Sequence, residues 1–329
     1  MKIERRGQNK RKQTEKRALV MKKKVGSVLT GAMCMAVFFA GCQSAAPYSG
    51  TGSGTGAVSG TVIGSGSSAL LPLAQNAAKA FKAKNPNVSV TLNAGGSGTG
   101  LKQVADGSVD IGNSDVAAAA KLSSDRASVL VDHKVCVVSM ATIVNKDVGD
   151  KVKNLTKEQL IDIFTAKTKN WKEVGGPDEP IVLMTRPKTS GTRALFAKYA
   201  LGGKEEASNA ALETDNSGIL LKSIEENKGA VGYVALSYLV GNNKDRVSTI
   251  SIDGTAPTLE NTYNGKYPVW GYEHMYTKGE AKGAVKAYLN YIVSSEYSGK
   301  MEELGYGVTS KIQSSVTNSR NAEENKSSK

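Results

Sequence analysis

The chain has 329 residues and a formal charge of +13, with 40% hydrophobic and 22% charged side chains. Residues 1–41 hold eleven Lys and Arg against Glu4 and Glu15, so the remainder carries 32 basic and 28 acidic residues, only +4. The basic balance belongs to the leader and does not argue for a nucleic-acid partner. Two His and three Cys without a clustered motif make a transition-metal site unexpected, and no cofactor is implied.

Residues 1–41 read as an export signal. A basic start is followed by an apolar run, residues 25–40, short of the about 20 residues a spanning helix needs. Met21-Lys22-Lys23-Lys24 reads as a start by itself, so Met1 and Met21 are both candidate initiators. The run ends in Phe39-Ala40-Gly41-Cys42, which resembles the lipobox of bacterial lipoproteins, where the cysteine is acylated and becomes the new N-terminus. Phe39 stands where leucine is usual. An ordinary cleaved signal with an incidental cysteine is the alternative. The resemblance implies lipid on Cys42 and an extracytoplasmic chain anchored to the cell membrane. Residues 42–60, rich in Gly, Ser, Thr and Ala, read as a flexible tether. Residues 313–329 are polar and read as a disordered tail. Only Cys136 remains in the folded body, so no internal disulfide is available there; Cys136 and His133 read as core residues.

The body then unfolds in order. Thr61-Val62-Ile63 predicts a short buried strand and Gly64-Ser65-Gly66-Ser67-Ser68 a loop. Helical spacing covers residues 70–81, with Pro72 tolerated in the first turn. Residues 88–92 alternate as a strand, Gly95-Gly96-Ser97-Gly98-Thr99-Gly100 forms a second loop, and a second helix opens over residues 101–105. Asp110-Ile111-Gly112-Asn113-Ser114-Asp115 is a short strand with a polar tip. This β-α-β-α-β order predicts a parallel sheet with crossover helices, whose ligands sit where strands end and helices begin. Further on, residues 135–144 predict a long apolar strand. Thr156-Lys157-Glu158-Gln159 is a capping box opening a helix to Phe164. Residues 181–184 predict a strand, 186–192 a loop into a helix-like run over 194–199, 217–226 a helix, 229–233 a turn and strand, and 284–292 an amphipathic helix.

Three loops therefore share one niche, between a strand end and a helix start. Helix N-termini present unpaired N–H groups and about half a positive charge, so they attract anions. Glycine permits close backbone approach, Ser and Thr add hydroxyl donors, and Arg adds a planar charged fork suited to tetrahedral oxyanions. Taken singly, Ser68 and Ser190 read more readily as helix caps than as ligand contacts, and Arg186 as a surface ion pair. Three such loops with one arginine favour an anion seat. Two look-alikes fail. Gly64-Ser65-Gly66-Ser67-Ser68-Ala69 fits a loose dinucleotide pattern, but Asn93 stands where an acidic residue is wanted. Gly95 to Lys102 suggests a phosphate loop of nucleotide hydrolases, but Leu101 separates Gly100 from Lys102 and Gln103 replaces Ser or Thr.

The stretches "GSGSSALLP", "GGSGTGLKQVADGSVDIGNSD", "NLTKEQLIDIFTAKTKNWKEVGG", "RPKTSGTR" and "GAVGYV" occur in this order. In that combination the chain resembles the phosphate-binding proteins of bacterial ABC phosphate importers, over about residues 61–307. The resemblance implies an α/β, two-lobed, type II periplasmic-binding-protein-like fold. Each lobe is then a mostly parallel sheet flanked by helices, with a hinge of two crossing strands. Residues 61–139 plus 270–312 form one lobe and residues 140–269 the other. It implies contacts to inorganic phosphate from the Ser68 hydroxyl and Ala69 amide, the Ser97 hydroxyl, Asp115, Arg186, the Ser190 hydroxyl, and the Gly191 and Thr192 amides. It implies a monomer that delivers phosphate to membrane permease subunits and does no chemistry on it. Two departures stand out. Lys188 replaces a residue often acidic in relatives, and Trp270-Gly271-Tyr272-Glu273 differs from the expected second crossover.

Asp115 carries the expected selectivity. A carboxylate beside an anion repels it unless the anion brings a proton to donate. Phosphate near neutral pH carries at least one; sulfate carries none, and the mismatch costs roughly a few kcal/mol. The alternatives are a receptor for another oxyanion, such as sulfate or molybdate, a phosphohydrolase, and an adhesin or sensor that keeps the fold without the ligand. Asp115 has a competing reading as a helix cap or surface ion pair.

Overall fold

The computed structural model describes residues 57–208 and 210–327; the leader, Cys42 and most of the tether lie outside the described residues. The first elements are β1 (Gly60–Gly66), α1 (Leu71–Lys84), β2 (Val88–Ala94), α2 (Ser97–Asp106) and β3 (Ile111–Ser114). β1 pairs in parallel with both β2 and β3, as the β-α-β-α-β pattern predicts. The 15-residue β4 (Leu130–Val144) follows, five residues longer at its start than its apolar run suggests.

The chain continues through β5 (Asn154–Leu155), α3 (Lys157–Phe164), β6 (Val182–Thr185), α4 (Gly191–Tyr199), β7 (Leu212–Glu213), α5 (Ser217–Glu226), β8 (Ala230–Ala235) and β9 (Ser248–Ile252). β10 (Trp270–Lys278), α6 (Gly283–Ile292), α7 (Ser295–Glu303) and α8 (Ser314–Ser327) complete it. The predicted capping box closes α3: the Gln159 amide donates to Thr156 Oγ1 at 3.1 Å, and the Thr156 amide to Gln159 Oε1 at 2.9 Å.

One mixed sheet runs β2-β1-β3-β10-β4-β8-β6-β7, with β9 on β4 and β5 on β9. β4 is shared by its two halves. Up to Ser139 it pairs antiparallel with β10; from Met140 it pairs antiparallel with β8. The chain returns at Val269–Trp270, and the two passages are tied by the Met140 amide donating to the Val269 carbonyl at 2.8 Å.

Each half has its own apolar packing. Val62, Leu73, Phe81, Ile111, Cys136 and Tyr288 are among the residues buried with the first. Phe164, Trp171, Phe196 and Tyr233 lead the largest cluster of the second, where Phe196 and Tyr233 stack with centroids 4.0 Å apart. Cys136 is fully buried, in agreement with its core reading.

The polar C-terminus departs from expectation. Residues 314–327 form α8 instead of a disordered tail. Its anchor is a short apolar and aromatic contact that its polar composition hides. Ile312 is buried beside Val137, Trp270 and Tyr272, and Val316 packs against the same cluster. Arg320, four residues on, lies over the Tyr199 ring at 3.5 Å and the Trp270 ring at 4.1 Å. It also donates to the Pro268 carbonyl at 2.9 Å. A guanidinium between two aromatic faces is stabilised by both ring quadrupoles while its alkyl stem covers apolar surface. Arg320→Ala is expected to lower the unfolding free energy by about 1–3 kcal/mol, measured by denaturant titration, with the larger loss if α8 detaches altogether.

Candidate anion-binding site

The three predicted loops converge where the two halves of the sheet meet. In the first half, β1 ends at Gly66 and Ser67 and Ser68 follow; the Ser67 hydroxyl accepts the Leu70 amide. The second corner is tighter than its sequence suggests. α2 begins at Ser97, not near Leu101, so Ser97-Gly98-Thr99-Gly100 is its first turn. Gly96 precedes it at φ 83°, a left-handed backbone that favours glycine. Low helix propensity over this glycine-rich turn conceals the true start. Asp115 lies one residue beyond β3, and its amide donates to Ser97 Oγ at 3.0 Å.

The second half supplies the opening of α4. Ser190 caps it, accepting the Arg193 amide at 3.3 Å. The two halves touch directly here. The Gly98 amide donates to the Thr189 carbonyl at 2.9 Å, and the Thr192 hydroxyl donates to Asp115 Oδ2 at 2.6 Å. Gly191 is required by this approach: a Cβ there would stand 2.2 Å from Ser97 Oγ. Ser68, Ala69, Ser97, Asp115, Arg186, Ser190 and Thr192 are each at most 3% exposed, and Gly191 is buried with them.

Arg186 is the charge at the centre. It is 0% exposed, and its recorded hydrogen-bond partners are neutral oxygens: the Asp215 carbonyl at 3.4 Å, Ser217 Oγ at 3.0 Å and the Tyr233 carbonyl at 3.2 Å. Its Nε is buried without a hydrogen-bond acceptor. Ser217 also bridges to Ser68, whose hydroxyl lies 2.9 Å from Ser217 Oγ and donates to the Asp215 carbonyl at 2.7 Å. Thus the first loop meets the arginine through Ser217, a residue the loop grammar does not single out.

A second layer fixes the arginine from behind. Arg193 donates to the Arg186 carbonyl and lies 3.6 Å from Glu206. The Tyr233 hydroxyl donates to Glu206 Oε1 at 2.6 Å, while the Tyr233 carbonyl receives Arg186. The circuit Arg186, Tyr233, Glu206, Arg193 returns to its start. Burial pushes the Glu206 carboxyl up to about 7, against the opposing pull of the Tyr233 hydroxyl and Arg193.

Carboxyls line the other side. Asp115 Oδ1 is buried without a donor. Glu273, on β10, is fully buried, and neither of its oxygens receives a hydrogen-bond donor. Burial, and then the neighbouring Asp115, drive its carboxyl well above the usual range. Asp215 is raised by burial, against the pull of Ser190 and Arg186. Its carboxylate lies against Gly96, where a Cβ would be 1.7 Å from Oδ2. Lys188 is exposed, and its carbonyl accepts from the Lys121 ammonium at 2.7 Å. Carboxyls that sense Arg186 here include Glu206 and Asp215, the latter 29 residues further along the chain. Among the described residues, no group of three or more His, Cys, Asp or Glu is arranged to hold a metal ion.

Two half-sheets joined at shared strands, with buried donors at their junction, define a solute-binding architecture. A model of the PBP superfamily domain matches residues 51–296. The phosphate-binding protein PstS of Bacillus subtilis is 50% identical over 238 residues, covering 72% of this chain and 77% of that protein. A Clostridium perfringens protein assigned as a phosphate ABC transporter substrate-binding protein, solved with bound phosphate, superposes with a TM-score of 0.68. It is 31% identical over 76% of this chain and 100% of its own. An ABC-type phosphate transport receptor from Vibrio cholerae matches with a TM-score of 0.58 and 25% identity, over 76% of this chain and all of its own. The chain belongs to the PBP superfamily and, within it, to the phosphate-binding protein family that includes the B. subtilis relative.

The raised Glu206 carboxyl has a consequence for stability. Its folded value of about 7 lies above the ordinary 4.5, so the folded state keeps a proton that the unfolded chain gives up. The contribution of Glu206 to stability is therefore fully present below about 4.5 and is lost as pH rises through about 7. Glu206→Gln keeps a neutral partner for Tyr233 and should gain up to about 3 kcal/mol relative to wild type across that window, read from paired denaturation curves at pH 5 and pH 8.

Proposed function

We propose that this chain binds inorganic phosphate outside the cytoplasmic membrane and delivers it to the permease of an ABC importer. The relatives reported above are named as phosphate-binding and phosphate-transport proteins. The observation that carries the reading is the wholly buried Arg186, whose hydrogen bonds go to neutral oxygens and whose nearby carboxyls Asp215 and Glu206 are both pushed by burial towards their neutral forms. A permanent cation removed from water needs an anion close by. The surrounding donors are hydroxyls and helix-terminal amides, the groups a tetrahedral oxyanion accepts from. Ser68, Ala69, Ser97, Arg186, Ser190, Gly191 and Thr192 are the proposed phosphate donors, and Asp115 the acceptor for its proton.

The two lobes of the proposal are residues 61–139 with 270–312, and residues 140–269. Their closure about the passages at Ser139–Met140 and Val269–Trp270 traps the ligand, and opening releases it to the permease. The protein acts as a monomer and carries phosphate without transforming it. Lipid on Cys42 holds it at the membrane; among the described residues no helix is long and apolar enough to cross a membrane.

Calorimetric titration of a soluble form beginning near Ser44, freed of bound phosphate, tests the reading. One-to-one binding of phosphate without heat from sulfate is expected. Equal binding of sulfate overturns the role of Asp115 and favours a general oxyanion receptor. Arg186→Ala removes two or more charge-assisted hydrogen bonds and should weaken phosphate by about a thousandfold or more. Gly191→Ala places a methyl against Ser97 and should cost about ten- to a hundredfold in affinity, with the thermal midpoint little changed.

A further inference from the structure

Glu273 is a fully buried carboxyl with no role in the expected contact set. Its place is fixed by the sheet. β10 runs antiparallel to β3 with His274 opposite Ser114, and Asp115 is the next residue beyond β3, close enough for its carboxyl to act directly on that of Glu273. On its other side Glu273 is paired with Cys136 of β4. Both Glu273 oxygens and Asp115 Oδ1 are buried without a donor. Two ionised carboxylates face to face would leave all three oxygens unsatisfied and repelling one another. One proton between them satisfies two of these oxygens and removes one charge.

We infer that Glu273 is a specificity-determining residue: it holds a proton against Asp115 and makes ligand capture a proton-coupled event. The inference rests on the phosphate reading of the site. The Glu273 carboxylic O–H donates to Asp115 Oδ1, while the Thr192 hydroxyl donates to Asp115 Oδ2. The pair then carries one negative charge, and the remaining lone pair on Oδ2 is left for the ligand's own O–H. The titratable groups within electrostatic reach of Glu273 include Asp115 from the end of β3, Cys136 from β4, Tyr238 from the turn after β8 and Tyr306 from the segment after α7. Of these, Asp115 acts on Glu273 most directly, and together with burial it favours the protonated carboxyl. Asp115 and Glu273 both belong to the first half of the sheet, whereas Thr192 and Gly191 come from the second. Bringing the halves together removes Asp115 from water and tightens the pair's hold on its proton. Capture from a solution alkaline enough to ionise the open pair therefore takes up a proton from solvent.

Phosphate titration by calorimetry at pH 8.5, in buffers of different ionisation enthalpy, counts that proton. Comparing wild type with Glu273→Gln cancels the phosphate's own ionisation. Wild type is expected to take up more protons per phosphate than Glu273→Gln, by a substantial fraction of one. Its affinity should also fall more steeply with rising pH, approaching an additional tenfold per unit. Glu273→Gln, whose amide donates to Asp115 at every pH, should bind phosphate with the shallower profile of the ligand alone. Equal proton counts and parallel profiles, with phosphate bound by both proteins, overturn the role of Glu273 and leave the phosphate reading intact. No phosphate binding by wild type overturns both. An infrared spectrum of phosphate-loaded wild type in D2O gives an answer independent of the variant's folding. A protonated-carboxyl C=O band that persists at pH 8.5, above the range in which Glu206 keeps its proton, supports the pair, and its absence sinks it.

Discussion

A guanidinium taken wholly out of water governs the rest of this molecule. Arg186 has no solvent exposure, and its hydrogen bonds go to two carbonyls and one serine hydroxyl. Neutral dipoles orient such a group but compensate only part of its desolvation. The charge is held in place by a circuit that leaves it little freedom: Tyr233 accepts from it, Glu206 binds Tyr233, and Arg193 joins Glu206 to the Arg186 carbonyl. Phe196 and Phe164 pack around the Tyr233 ring, so the polar circuit is built into the largest apolar cluster. The core therefore spends part of its rigidity on aiming one cation at the junction of the two half-sheets.

The opposing wall is acidic, which is unexpected around an anion until protons are counted. Asp115, Asp215 and Glu273 all lie close to the same junction, and the latter two are raised by burial. Unprotonated, the three would oppose any anion. Protonation changes their meaning, because a neutral carboxyl is a donor and a half-protonated pair is a selective acceptor. Such a wall discriminates by what the ligand carries on its oxygens as well as by size and charge. It also explains why a lysine at position 188 is tolerated: Lys188 is exposed, and Asp215 supplies a carboxyl that senses Arg186 from a different loop.

Local grammar made much of this readable. A strand followed by Gly and Ser followed by a helix is a short-range pattern, so all three corners, the parallel order of β1, β2 and β3, and the α3 capping box could be anticipated from neighbours in sequence. What escaped is the chemistry delivered by topology. Ser217 reaches Ser68 across 149 residues, and Glu273 meets Asp115 only because β10 inserts beside β3. The departure at Trp270-Gly271-Tyr272-Glu273 was visible, but its meaning depends on which strand lies next to it. The start of α2 was hidden by glycines, whose use here is close approach and not helix propensity. α8 was hidden by its polar composition, although Val316 and Arg320, four residues apart, both turn to the cluster that buries Ile312 and Trp270.

The division of charge between the two half-sheets gives closure a physical meaning. The first half brings the carboxyl pair, Asp115 and Glu273, with the hydroxyls of Ser68 and Ser97. The second brings the guanidinium, the Thr192 hydroxyl that binds Asp115, and the amides at the start of α4. Apart, neither half offers a protonated oxyanion both a cation and an acceptor. Together they offer both, and contacts such as Gly98 to Thr189 and Tyr238 to the Ser68 carbonyl add ordinary hydrogen bonds to the closed arrangement. An anion with a proton to give can satisfy Arg186 and Asp115 at once. An anion without one satisfies the arginine but leaves Asp115 facing a like charge, so the same closing motion that secures the first ligand is opposed by the second.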